Sequence, residues 1–218
     1  MTPRVRPARP DDVDAFMRLI LMSDTAFLPT LFGDDFDRVI RGVFESGGGL
    51  FGYQNVRIVE VESRVAGMLL AYTYEQMVTA MAEWETEDGQ SPATDEPGPA
   101  TRSGWVNPGE YYLANMAVFP EFRRQGLGSL LLADAETRAR QQGCNRLALD
   151  VEAENRDAVR LYERVGFVRE AHDLRLLDRF QFARHSRPVS SPAAPCHRSE
   201  IWEVSEVSQF PTGPLSAD

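Results

Sequence analysis

Arg123-Arg124-Gln125-Gly126-Leu127-Gly128-Ser129 is the stretch that decides how this chain reads. It follows an apolar run, Glu110 to Phe119, with the period of a strand. It opens a second run, Gly126 to Gln142, in which Leu127, Leu130, Leu131 and Asp134 or Ala135 share a helical face. Glycines at 126 and 128 let a backbone come close to a ligand. Successive free amides at a helix start form a nest for an anion, and Arg123 and Arg124 add charge. The same residues would also serve as a plain helix cap with two solvated arginines, so their surroundings have to decide.

About thirty residues on stands Asn155-Arg156-Asp157-Ala158-Val159-Arg160-Leu161-Tyr162-Glu163-Arg164-Val165-Gly166-Phe167. Asn155 caps a helix whose inner face carries Ala158, Leu161 and Val165, and Gly166 ends it. Tyr162 lies one turn beyond Ala158, which would bring its hydroxyl to a sheet edge. Between the two helices, Asn145 to Glu152 (NRLALDVE) reads as a strand.

Working outward, Val5 sits in a short extended segment closed by Pro7 and Pro10. Asp11 or Asp12 caps a helix with Val13, Phe16, Met17 and Ile20 on one face. A second helix is expected over Asp34 to Phe44, broken by Gly47-Gly48-Gly49. Asn55 to Glu62 and Val65 to Tyr74 form a hairpin turning at Ser63-Arg64. Gln76 to Glu85 reads as helix, and Thr86 to Asn107, rich in Pro, Gly, Ser, Thr and acid, reads as loop. A last strand begins at Phe167 to Glu170. The domain is expected to span residues 1–182, with an insertion over 76–108. Residues 183–218 read as a Pro/Ser-rich linker with one more strand or helix and a tail. The order is then β-α-α-β-β-(insert)-β-α-β-α-β, a mixed α/β (α+β) sandwich.

Composition narrows the function. The 218 residues are 43% hydrophobic and 26% charged, ordinary for a globular chain. Acids outnumber bases 33 to 23, a formal charge of −10, which opposes nucleic acid and anionic membranes and favours a cationic partner. All the bases are arginine. Two cysteines and three histidines make no disulfide scaffold and no metal spacing, so no metal is expected. No apolar run spans a bilayer, and a cytoplasmic location is expected. Gly47 to Gly52 matches G-x-G-x-x-G, but a helix precedes it and a strand follows, the reverse of a dinucleotide site.

Strand, RRQGLG turn, helix, the strand LALDV and then N-x-x-A-x-x-x-Y-x-x-x-G-F together resemble the GNAT superfamily of acyl-CoA-dependent N-acetyltransferases. The resemblance covers roughly residues 4–170, including the opening VRPARPDDVDAF. It implies a mostly antiparallel central sheet flanked by helices, with acetyl-CoA as co-substrate. It implies that Arg123, Arg124, Gln125, Gly126, Leu127, Gly128 and Ser129 hold the coenzyme pyrophosphate. Met116, Ala117 and Val118 would line pantetheine, one amide polarising the thioester carbonyl. Asn155 and Ala158 would touch the coenzyme, and Tyr162 would protonate the leaving thiolate. Glu110 is the candidate base, with Glu83, Glu85 and water as rivals.

The acceptor is expected to be a small cationic amine. Glu83, Glu85, Glu87, Asp88, Asp95 and Glu96 would draw it in, with Trp84 and Trp105 as walls; a solvated acidic loop fits the same residues. Alternatives are a protein or peptide acceptor, or a non-catalytic acyl-CoA-binding module. A homodimer is expected at family level alone.

Overall fold

The structure, a computed structural model, describes residues 2–88, 106–152, 154–176 and 180–190. Strand β1 (Arg4–Pro7) leads into helix α1 (Val13–Ser23). Asp12, just before α1, accepts from the Arg9 amide at 2.7 Å and clasps Arg6 at 2.7 and 2.8 Å, while Arg6 also reaches Glu60 at 2.6 Å. Two further helices follow, α2 (Phe27–Phe32) and α3 (Phe36–Ser46). One helix was expected here. The break between them is Gly33, at φ 56°.

Strands β2 (Val56–Val61) and β3 (Arg64–Thr73) pair as the expected hairpin. Its turn is Glu62-Ser63, both at positive φ, 51° and 61°, as a two-residue turn requires to match strand twist. Helix α4 (Tyr74–Asp88) starts on a capping box: the Gln76 amide donates to Thr73 Oγ1 at 3.2 Å, and Gln76 Oε1 accepts from the Thr73 amide at 2.9 Å. Most of the expected insertion loop lies outside the described residues, as do Trp105, Asp95, Glu96 and Cys196.

Strand β4 (Glu110–Val118), helix α5 (Leu127–Gln141), strand β5 (Arg146–Glu152) and helix α6 (Arg156–Arg164) come next, as the sequence predicts. The chain ends its described part with β6 (Val168–Leu176) and β7 (Phe180–Pro188). Strand β7 runs past residue 183: Arg184 to Pro188, expected at the start of a linker, form its second half, beside β5 and β6. Its sequence, FQFARHSRP, carries so many polar residues that it hides a strand, yet Ala183, Arg184, His185 and Ser186 are all buried.

Among the described residues, one sheet holds seven strands, in the order β1-β2-β3-β4-β5-β7-β6. Every neighbouring pair is antiparallel except β4 and β5. Helices α1 and α3 pack through Phe16 and Phe44, whose rings stack at 4.3 Å, and α5 covers the opposite face with Leu127, Leu131, Leu132, Ala135 and Ala139 buried. The Gly47 to Gly52 stretch is a structural turn: a Cβ on Gly52 would lie 2.4 Å from the Gly47 carbonyl oxygen.

Ion pairs tie the layers together. Arg57 of β2 holds Asp134 of α5 at 2.8 and 3.0 Å. Glu136 of α5 takes Arg187 of β7 at 2.8 Å and Arg140 at 2.9 Å. Burial opposes ionisation of Glu136, but the two arginines and Ser190 outweigh it and bring its carboxyl down to about 2. Burial likewise opposes ionisation of Asp12, and Arg6 with the Arg9 amide wins. A carboxyl lowered on folding stabilises above its unfolded pKa and loses that contribution as pH falls. Stability should therefore drop between about pH 4.5 and pH 2. Glu136→Gln should flatten that drop and cost about 1–2 kcal/mol at pH 7, because the pair is partly screened. Urea midpoints across this range check it; an unchanged acid slope would refute the assignment.

Candidate active site

Strands β4 and β5 stay paired through only three residue pairs, Glu110 with Arg146, Tyr111 with Leu147 and Tyr112 with Ala148. Beyond them the strands part. The cause is visible on the other edge of β4, where Leu70 pairs with Asn115 and Ala71 with Leu113, leaving Ala114 as an extra residue. Such a bulge bends its strand and flips the faces of the residues beyond it. Before it, Tyr111 faces α5, where Arg138 Nε donates to its hydroxyl at 3.3 Å. After it, Met116 takes that face, near Gly128 of α5, while Asn115 turns to α1 and donates to Ser23 Oγ at 3.1 Å.

The backbone of β4 past the bulge therefore has one free edge. The Phe119 amide donates to the Ala66 carbonyl at 2.9 Å, and the Ala117 carbonyl points at Gly67, so both belong to the β3 side. Strand alternation turns Met116 and Val118 to the gap. The Val118 carbonyl there accepts from Arg123 Nε at 3.0 Å. Of the three residues expected along pantetheine, Met116 and Val118 offer main-chain groups to the gap, and Ala117 does not.

The glycine turn sits where this edge ends. Arg124 and Gly126 both adopt the left-handed conformation, φ 61° and 78°. For a non-glycine residue like Arg124 this is strained, and such strain collects at ligand sites. Helical hydrogen bonding resumes with the Leu130 amide donating to the Gly126 carbonyl at 3.1 Å. The amides of residues 124–129 have no acceptor among the described residues. Consecutive free amides of this kind form a concavity suited to an anion. A Cβ on Gly128 would stand 2.9 Å from Leu161 of α6 and 3.9 Å from Met116. Glycine at 128 thus lets the turn, α6 and β4 meet.

Asn155 caps α6 as expected, its Oδ1 accepting from the Ala158 amide at 3.2 Å. That cap engages the Asn155 side-chain oxygen, and Ala158 is partly buried against the core. Tyr162 packs on Phe167 at 5.7 Å between ring centres. Desolvation pushes its hydroxyl up to about 12, so it stays protonated at neutral pH.

Glu110 lies at the closed end of the gap, 4% exposed. Its Oε2 accepts from Arg184 and from the Asn107 amide at 2.9 Å, and its Oε1 accepts from Asn107 Nδ2 at 3.2 Å. Both oxygens are occupied, which is poor preparation for a base. The carboxylate that sequence reasoning missed is Asp150, two residues past the last β4–β5 pair. Its Oδ2 accepts from Arg184 at 2.8 Å and from the Tyr112 hydroxyl at 3.0 Å. Its Oδ1 is buried with no hydrogen-bond partner among the described residues. Burial pushes Asp150 upward; Arg184 and Tyr112 pull against it without prevailing. Tyr72 leans on Tyr112 at 5.7 Å, and burial followed by the Asp150 charge raises its hydroxyl well above the usual range. A signal for Asp150 existed: an acid between Leu149 and Val151, both buried, within the apolar run from Leu147 to Val151 of a central strand.

Free amides at the mouth of two parted parallel strands, with a buried carboxylate beside the gap, make this opening the candidate active site. Residues 36–167 match the model of the Acetyltransferase (GNAT) family, and the chain belongs to that family, whose acyl donor is acetyl-CoA. Over 59 residues it is 37% identical to N-alpha-acetyltransferase 30 of Xenopus laevis, and over 58 residues 43% identical to the [Ribosomal protein bS18]-alanine N-acetyltransferase of Escherichia coli K12. Each match takes in 27% of this chain, and spans 22% of the first relative and 39% of the second. An N-acetyltransferase structure from Staphylococcus aureus Mu50 superposes with a TM-score of 0.65, covering 84% of this chain and 100% of that one at 22% identity. That likeness concerns the fold, a mixed, mostly antiparallel sheet flanked by helices.

Proposed function

We propose that the chain is an acetyl-CoA-dependent N-acetyltransferase that transfers the acetyl group directly to a primary amine. The observation that carries the reading is the opening between β4 and β5, with free amides at one end and the unpartnered Asp150 Oδ1 at the other. Acetyl-CoA supplies the thioester carbonyl and a thiolate leaving group. Residues 124–129 hold its diphosphate, and the Met116 and Val118 main chain aligns its pantetheine arm. An amide on that edge stabilises the carbonyl oxygen as negative charge develops.

Asp150 replaces Glu110 as the base. Its Oδ1 takes one proton from the acceptor ammonium, directly or through a water, which frees the nitrogen lone pair to form the C–N bond. Tyr162 gives its proton to the sulfur as the C–S bond breaks. It recovers one from the second N–H proton that the product amide sheds. Holding both substrates in line supplies much of the acceleration.

The acceptor in this reading is a small cationic amine, supported by the net charge of −10. A second reading, a peptide α-amine, is supported by the names of the two relatives, an N-alpha-acetyltransferase and an acetyltransferase of a ribosomal protein's alanine. Thiol release measured with polyamines and amino acids, against peptides with a free N-terminal alanine, separates them. Turnover with peptides alone would overturn the small-amine reading. Tyr162→Phe should lower kcat about 10²-fold and leave acetyl-CoA affinity intact. No turnover with any amine, with coenzyme binding preserved, would instead identify an acyl-CoA-binding module.

A further inference from the structure

Arg184 of β7 reaches over β5 to β4 and bridges two buried carboxylates, Glu110 and Asp150, at the closed end of the gap. Its guanidinium lies 5.4 Å above the Tyr112 ring. The groups facing Asp150 are Glu110 and Tyr112 from β4, Tyr72 from β3 and Arg184 from β7. Farther along β7, Ser186 and Arg146 of β5 engage Glu170 of β6. Among the described residues, two carboxylates share one cation here, an excess of one negative charge. A proton arriving at Asp150 neutralises that excess. Both Glu110 oxygens are already engaged, by Arg184 and by the two nitrogens of Asn107.

We infer that Glu110 and Arg184 are a positioning pair that sets the basicity of Asp150: Arg184 holds Asp150 by Oδ2 and keeps Oδ1 available, while Glu110 draws off part of the Arg184 charge. This rests on Asp150 being the base. With its full charge on Asp150 alone, Arg184 would hold that carboxylate ionised and weakly basic. With no cation, two buried carboxylates would repel and one would stay protonated. Burial of the cluster, which raises Asp150, agrees with the shared arrangement.

The test compares the pH profile of kcat/KM and the ¹³C carboxyl titration of Asp150 in the unaltered protein, Glu110→Gln and Arg184→Gln. Glu110→Gln should move the acid limb and the Asp150 titration down by roughly one unit or more, and Arg184→Gln should move both up. Each variant's thermal shift with acetyl-CoA shows that it is folded. If Arg184→Gln does not fold, the Glu110→Gln shift decides alone. Unmoved Asp150 titration in Glu110→Gln would overturn the inference. Titration that moves as expected, in a protein whose Asp150→Asn form keeps full activity, would support the electrostatic pair and overturn the reading of Asp150 as base.

Discussion

Asp150→Asn is expected to lower kcat/KM by about 10²–10⁴-fold, the usual range for a removed general base, with acetyl-CoA affinity unchanged. Asparagine keeps the shape, and its amide can still accept from Arg184 and Tyr112 through one oxygen. What it loses is the capacity of Oδ1 to take a proton. The unaltered protein should show an acid limb above the usual carboxylate range, because burial raises Asp150. Activity falls as pH drops through that raised value, since the protonated carboxyl is no base. A peptide α-ammonium, near pKa 8, is easier for a carboxylate to deprotonate than a side-chain ammonium near 10.4, so the loss should be smaller for α-amines. The measurement is thiol release across pH, beside a thermal-shift titration to show that coenzyme still binds. A loss under tenfold would assign the base to water and leave Asp150 a structural acid.

The second large effect concerns the glycine turn. Gly126→Asp with Gly128→Asp should abolish stabilisation by acetyl-CoA. At about 100 times the dissociation constant, a bound ligand contributes roughly 2.7 kcal/mol, several degrees of melting temperature for a chain of this size. Three costs combine in the variant. Residue 126 must hold φ 78° with a side chain, residue 128 must push back Leu161, and two carboxylates face a diphosphate. NAD and ATP serve as controls. The variant's own melt, taken without ligand, separates lost binding from lost folding. Retained stabilisation in a folded variant would mean the amides of residues 124–129 only cap α5.

Much of this protein could be read from short stretches of its chain. The glycine turn, the Asn155 cap, the buried faces of α1 and α5 and the β2–β3 hairpin all show as patterns within short stretches of sequence. Local conformational preference and periodicity carry that information. The centre of the site does not work this way. Arg184 meets Glu110 across 74 positions and Asp150 across 34, and the strand bearing it has too polar a sequence to stand out. The bulge at Ala114 depends on how β4 registers against β3, and the parting of β4 and β5 is a consequence of that bend. Residue types and spacing singled out the glycine turn, because a nest is built from consecutive amides. Only tertiary structure set the two carboxylates apart, because which oxygen is left unbonded depends on distant neighbours.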